Sequence, residues 1–229
     1  MSNCIAIDGP AASGKSTIAR RVAEKLNIAY INTGSLYRAV ALAAIRAGRD
    51  LSSLDRSFLD TLKLEYAENE SGAYELKLNG AFPGAALRTA EVAAGASLVA
   101  TQPVVRDFLL GVQRGFAGER MVVMEGRDIG TVIFPDAAVK IFLTASPEER
   151  ARRRLAQDGE SPDGATLAEV AREIAARDKQ DSERAVAPLK PAPDAILVDT
   201  TGFSLDKAVE TIIGLTARKL QESGICIMK

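Results

Sequence analysis

The sequence predicts an α/β fold: a five-stranded parallel sheet with helices on both faces, interrupted by an inserted subdomain that contains a small antiparallel β element. Three observations predict it. Five short apolar segments, Cys4–Asp8, Ala29–Asn32, Met121–Glu125, Val139–Thr144 and Ala195–Asp199, are separated by helical patterns, which implies βαβ units with right-handed crossovers. Between the first of them and a helix lies a loop of the form G-x-x-x-x-G-K-[ST], made of Gly9, Pro10, Ala11, Ala12, Ser13, Gly14, Lys15, Ser16 and Thr17. Finally, about 85 residues separate the second and third strands, where a crossover needs only about a dozen.

Each element has its own local signal. Cys4-Ile5-Ala6-Ile7 has no helical period and reads as a buried strand, whereas Ile18, Ala19, Val22, Ala23 and Leu26 recur at helical spacing. Strand, glycine loop and helix together form a phosphate-binding loop. Its backbone N–H groups and the helix N-terminus favour anions; Lys15 would reach the β- and γ-phosphates of a nucleotide, and the Ser16 hydroxyl would ligate Mg²⁺. In the long connection a helix is expected around Tyr37–Ala47. Leu62, Leu64 and Tyr66 then alternate, Ser71-Gly72 supplies a turn, and Tyr74, Leu76 and Leu78 alternate again before Asn79-Gly80, the pattern of a hairpin. Helical segments around Thr89–Ala100 and Val104–Phe116 follow, parted at Pro103. Residues about 36–119 thus read as the inserted subdomain, and about 1–35 with 120–229 as the core of a single domain. Further on, Ser146, Pro147 and Glu149 mark a helix start with a capping box, and Thr166 with Glu169 marks another after the Gly- and Pro-containing stretch Asp158–Gly164. In the last helix Leu205, Val209, Ile212, Thr216 and Leu220 share the face expected to pack on the sheet.

Composition removes several function classes. Hydrophobic residues make up 47% of the chain and charged residues 26%, so a packed core and a polar surface are both expected. A net charge of −1 carries no basic footprint for nucleic acid or anionic membrane. Without a bilayer-length apolar run or a signal peptide the expectation is a cytoplasmic protein, with Cys4 and Cys226 as free thiols. Histidine is absent, which removes His-based acid–base catalysis, serine-type triads and His-ligated metals. The chemistry must rest on Lys, Arg, Asp, Glu, hydroxyls and a bound metal.

Ligands of open parallel sheets bind beyond the carboxyl ends of the strands. There the second strand runs into Thr33 and Arg38, and the third into Glu125, Arg127 and Asp128. Read blandly, Thr33 is a helix cap, Arg38 a solvated side chain and the acidic–basic trio a surface ion pair. Arg177, Asp181 and Arg184, spaced i, i+4 and i+7, share one helix face and are either an ion-pair ladder or a site. The run Arg150, Arg152, Arg153 and Arg154 reads as a solvated face, although Arg outnumbers Lys about two to one in the chain and suits bidentate phosphate recognition.

The segments GPAASGKST (9–17), NTGSLYRA (32–39), LRTAEV (87–92), EGRDIGTVIFPDA (125–137), KIFLTAS-EER (140–150) and RDKQDSERAVAPL (177–189) resemble the bacterial-type cytidylate kinases, P-loop nucleoside monophosphate kinases, over nearly the whole chain and in order. The resemblance implies phosphorylation of CMP and dCMP by ATP with Mg²⁺ as cofactor, an ATP site over residues 9–17, and a monomer with small-molecule partners only. It implies a CMP site of Thr33, Arg38, Arg88, Ser97, Arg106, Arg127, Asp128, Arg177, Asp181 and Arg184, with Lys15, Arg127, Asp128 and Arg177 as the catalytic set. Within that site it gives Ser97, Arg106 and Asp128 to cytosine, Asp181 to the ribose, and Arg38, Arg127 and Arg177 mainly to phosphate. It also makes 36–119 the monophosphate-binding subdomain and about 150–165 a short arginine-bearing lid. Three positions depart from the family pattern: Asn32 for Asp, Glu125 for Asp, and Ala12 for Gly. The alternatives are a P-loop kinase for a hydroxyl acceptor, which would want a carboxylate base, and a nucleotide-switch protein, for which no N-K-x-D motif is present.

Overall fold

The computed structural model describes residues 2–70, 74–118, 120–157 and 164–225. The expected Ser71-Gly72 turn, Cys226 and most of the Asp158–Gly164 stretch lie outside them. The described chain forms two compact units, Met1–Ile31 with Phe116–Lys229, and Asn32–Gly115.

In the first unit the strands β1 (Ser2–Asp8), β2 (Ala29–Asn32), β5 (Val122–Gly126), β6 (Ala137–Thr144) and β7 (Ile196–Asp199) form a parallel sheet in the order β2-β5-β1-β6-β7. Ile5, Ile7, Val123, Val139, Ile141 and Leu143 form a core with Ile18 and Val22 of α1 (Lys15–Leu26) and Val209, Ile212 and Leu220 of α8 (Leu205–Glu222). Because side chains alternate along a strand, Ile5 and Ile7 facing α1 leave Cys4, Ala6 and Asp8 on the opposite face. Register carries this to the next strand: Ile7 pairs with Glu125 and Asp8 with Gly126, so Glu125 points to the α1 side and Asp8 away from it. Burial raises the pKa of the Cys4 thiol, which is enclosed and free of any disulfide.

The helix starts were legible with two corrections. Thr166 and Glu169 make both halves of a capping box at the start of α7 (Leu167–Glu183). At α6 (Pro147–Leu155) Ser146 accepts from the Glu149 N–H, but the return half is missing. Glu149 pairs instead with Arg153 and Arg152, and the Ser146 N–H donates to Thr201 Oγ1. In α8 the buried face is Ala208, Val209, Ile212, Thr216 and Leu220. Leu205, expected on it, is 37% exposed because it directly follows the N-cap Ser204.

The second unit begins with α2 (Thr33–Arg46) and a short helical turn, α3 (Arg56–Leu59). The expected hairpin follows as β3 (Leu64–Glu68) and β4 (Tyr74–Leu78), antiparallel with Leu64 opposite Leu78 and Tyr66 opposite Leu76. A 3₁₀ turn (Gly84–Arg88) and the helices α4 (Ala90–Val99) and α5 (Pro103–Phe116) complete it. Helices α2 and α4 approach closely at Gly95, where a Cβ would sit 3.2 Å from Ala41 Cβ and 3.0 Å from Leu51 Cδ1.

One close approach in the first unit fixes where the glycine loop can run. A Cβ at Gly9 would collide with the backbone carbonyl oxygen of Leu143 in β6. We predict that Gly9→Ala costs at least about 3 kcal/mol. In a chain of this size that lowers Tm by roughly 6–12 °C; a thermal melt within about 2 °C of wild type would contradict this packing.

Candidate functional site

The glycine loop joins β1 to α1 with Gly14 in the left-handed region (φ 88) as the helix N-cap. Lys15 folds back over it, its Nζ donating to the Pro10 carbonyl at 2.6 Å and to Ser13 Oγ at 3.2 Å. Burial, aided by the positive charges of Arg127 and Arg177 and opposed by Glu125 and Asp8, lowers the Lys15 pKa to about 7. Ser16 Oγ donates to Glu125 Oε1 at 2.6 Å, and the Tyr30 hydroxyl donates to the same oxygen at 3.1 Å.

The outer side of the loop is held by side chains that the sequence pattern does not place there. The Ala11 N–H donates to Asp178 Oδ1 of α7 at 2.9 Å, and Arg150 Nη1 of α6 donates to the Ala11 carbonyl at 3.0 Å. Arg150 and Asp178 are themselves an ion pair, and Arg150 Nε donates to the Ala145 carbonyl. Arg153 Nη1 reaches the Ser13 carbonyl at 3.0 Å while its guanidinium also holds Thr200. Arg150 and Arg153 therefore depart from the expected solvated face. Arg150 is 8% exposed, and of this run Arg152 is the one that pairs with Glu148 in the open. Ala11 also joins Ala151, Val170 and Ile174 in a small apolar cluster between the loop and these two helices. The available signal was that Asp178 stands one helical turn after Ile174, on the buried side of α7.

Beyond the carboxyl end of β5 the chain runs through Arg127 and Asp128 into a single π-helical turn, Ile129–Ile133. Arg127 Nε donates to Asp181 Oδ2 at 2.8 Å; Arg184 lies 3.7 Å from Asp181 Oδ1 and 3.6 Å from Asp128 Oδ1. The side chains of Arg184 and Asp128 are 8% and 7% exposed, so this is an enclosed network and not an exposed i,i+4 ladder. Arg184 meets Asp181 from the C-cap of α7, in extended conformation (φ −61, ψ 140), and not from the helix face expected. The structure brings Arg127, Asp128, Asp181 and Arg184 together, and Arg177 stands near enough to Lys15 to act on its pKa.

The second unit holds the other expected residues. The cap of α2 is Asn32, whose side chain accepts from the Ser35 N–H, and Thr33 is a buried first-turn residue instead of the cap. The Tyr66 hydroxyl clasps Asn32 by accepting from its N–H at 3.1 Å and donating to its carbonyl at 2.9 Å. Arg38 Nη1 donates to the Leu87 carbonyl at 3.0 Å, beside Arg88, which is exposed. Arg106 is buried, donates to the Ala100 carbonyl, and lies over the Tyr37 ring with 5.6 Å from Cζ to centroid. Ser97 Oγ contacts the Ala93 carbonyl at 3.4 Å.

Comparison with known proteins decides which kind of P-loop protein this is. The family model described as cytidylate kinase matches residues 5–218. The chain belongs to the cytidylate kinase family. The cytidylate kinase of Desulfitobacterium hafniense (strain Y51) is 45% identical over 217 residues, covering 95% of this chain and 94% of that protein. That of Pseudomonas paraeruginosa (strain DSM 24068 / PA7) is 47% identical over 215 residues, with 91% and 93% covered. Among solved structures, an uncharacterized protein from Eubacterium ventriosum ATCC 27560 shares the fold at TM-score 0.53 and 15% identity, with 93% of this chain and 98% of that one aligned.

The three departures from the cytidylate kinase pattern each have a local account. Asn32 caps α2 with its side-chain oxygen, as an Asp would. Glu125, one methylene longer than Asp, spans to the Ser16 hydroxyl directly. Ala12 takes the left-handed conformation (φ 55) at a cost of about 1–2 kcal/mol, and it packs against the apolar cluster of α6 and α7.

Asp8 accepts the N–H groups of Ile129 and Gly130 at 2.8 and 2.7 Å. Burial pushes its carboxyl from the ordinary 3.8 up to about 6; those two N–H groups oppose the shift and the Asp128 charge adds to it. The folded state thus holds the Asp8 proton more tightly than the unfolded chain does. Its contribution to stability is complete below 3.8 and is lost as pH rises through about 6. We predict that the stability of wild type relative to Asp8→Asn declines by roughly 3 kcal/mol between about pH 4 and pH 7. Denaturant titrations across that range check it, and a constant difference would contradict it.

Proposed function

We infer that this chain transfers the γ-phosphoryl group of ATP to CMP and dCMP, and we propose how its residues divide the work. The observation that carries the reading is the enclosed Arg127–Asp181–Arg184–Asp128 network beyond the end of β5, in a chain 45% identical to a cytidylate kinase. A nucleoside monophosphate already bears an anionic oxygen at neutral pH, so no base has to activate it. Catalysis reduces to alignment and charge neutralisation, which suits a chain without histidine.

The loop from Gly9 to Thr17 holds the ATP phosphates with its N–H groups. Lys15 leaves the Pro10 carbonyl for a phosphate oxygen, and the anionic ligand favours the charged form of its amine. Among the described residues no cluster of three or more acidic, Cys or His groups could hold a metal alone. That fits Mg²⁺ bound mainly by substrate oxygens, with the Ser16 hydroxyl and the Glu125 carboxylate as the protein groups that would hold it. When bound, Mg²⁺ supplies charge neutralisation and orientation of the phosphates.

Arg127 and Arg177 neutralise the acceptor phosphate, and Asp181 holds the ribose, oriented by Arg127 and Arg184. Asp128 accepts from the cytosine amine. The family pattern further gives Arg38 to phosphate, Ser97 and Arg106 to the base, and Thr33 and Arg88 to the monophosphate site. ATP and CMP or dCMP are the partners. Among the described residues no helix is long and apolar enough to cross a membrane.

A coupled assay with ATP and a panel of CMP, dCMP, UMP, AMP and a hydroxyl acid tests the reading. Transfer to CMP and dCMP is expected at least about 10²-fold above the hydroxyl acid, and preference for the hydroxyl acid would overturn it. Within it, Asp128→Asn should lower kcat/KM for CMP and narrow the CMP-to-UMP ratio, because a rotated amide can donate to O4 of uracil where a carboxylate repels it. An unchanged ratio would remove Asp128 from base reading.

A further inference from the structure

Asp8 has no part in the reading above, yet it is an acid at the carboxyl end of the central strand, 5% exposed. Strand alternation turns it away from α1, to the face on which the chain leaving β5 folds back as the π turn. There its two carboxylate oxygens take one N–H each: Oδ1 accepts from Ile129 at 2.8 Å and Oδ2 from Gly130 at 2.7 Å. A carboxylate engaged at both oxygens fixes the tilt as well as the position of the two peptide planes. Those planes begin at the carbonyl of Asp128, so the anchor sets the backbone from which Asp128, and Arg127 before it, project. Asp128 itself sits at φ −146, ψ 23, outside the main helical and strand regions, and needs neighbours to hold it there.

The space around the anchor is closed. A Cβ on Gly130 would meet Lys140 Cδ at 3.1 Å and come into ordinary contact with Asp8 Oδ2 at 3.4 Å, so the turn lies directly against both side chains. Lys140 passes beneath and turns its Nζ away, to the Pro135 carbonyl and to Asp194. The carboxylate is spent on backbone N–H groups and enclosed, so it acts through the turn and not on a substrate.

We propose that Asp8 is a positioning residue for the acceptor nucleotide: by clamping the Ile129 and Gly130 N–H groups it aims Arg127 and Asp128. This rests on the reading that those two residues bind CMP. The alternative is a purely structural brace under the glycine loop, since Asp8 directly precedes Gly9.

Asp8→Asn separates the two. Asn keeps the size but offers one acceptor, and its amide sets a donor against the other N–H. The expected result is a KM for CMP raised about tenfold and a narrowed CMP-to-UMP ratio, with the Kd for MgADP by calorimetry within about twofold of wild type. Asp8→Glu, which keeps the acid but carries its oxygens one methylene beyond the two N–H groups, should give the same split, and it serves where Asp8→Asn does not fold. Equal weakening of CMP and MgADP, or a lower Tm with an unchanged KM for CMP, would overturn the proposal. Asp128→Asn is measured beside them. If it weakens CMP while both Asp8 variants leave CMP untouched, the anchor fails; if it too leaves CMP untouched, the assignment of Asp128 fails and the proposal with it.

Discussion

The arrangement depends on the bracket around Ala11. A loop that turns its N–H groups inward to meet phosphates leaves other backbone polar groups facing outward, and these are costly when buried without partners. Asp178 takes the Ala11 N–H, Arg150 supplies the Ala11 carbonyl, and Arg153 supplies that of Ser13. Arg150 and Asp178 also neutralise each other, so neither charge is left alone in a half-buried place. The loop is thereby held in shape by the protein's own side chains, and preorganised dipoles need no rearrangement when charge arrives.

The same bracket explains why α6 and α7 belong to the site. Each sends arginine or carboxylate groups to the loop, and α7 carries the adjacent Arg177 and Asp178 with Asp181 about one turn further on. Asp178 holds the loop, while Asp181 holds Arg127 beyond β5. One helix thus ties the phosphate loop to the residues proposed for the acceptor. Arg suits this bracket better than Lys, since a guanidinium can serve two carbonyls and a carboxylate at once, as Arg150 does, and an ammonium cannot match that fork.

What the sequence made legible was whatever depends on local pattern. The five strands, the hairpin opposing Leu64 to Leu78, the Thr166 cap and the loop from Gly9 to Thr17 all follow from periodicity or from motif chemistry. Arg127, Asp128, Asp181 and Arg184 stood out as polar residues at a strand end or a shared spacing. The roles of Asp8, Arg150, Arg153 and Asp178 did not, because they are set by partners 28 to 167 positions away. Spacing could not show that Arg150 and Arg153 turn inward while Arg152 between them stays exposed, nor that Glu149 prefers two arginines to its own N-cap. Tertiary partners turn Arg150 and Arg153 inward, whereas Glu149 is taken by i,i+3 and i,i+4 pairs within its own helix.

The central claim is that the phosphate loop is held ready by α6 and α7 and not by its own glycines alone. Calorimetric titration of MgADP into wild type and Asp178→Ala tests it most directly, because the substituted residue sits on the outer side of the loop. Losing the acceptor for the Ala11 N–H and the partner of Arg150 should raise the Kd about tenfold or more in a protein that keeps its helical circular-dichroism signal. An unchanged Kd in that folded variant would show that the loop keeps its shape unaided, and would contradict the account.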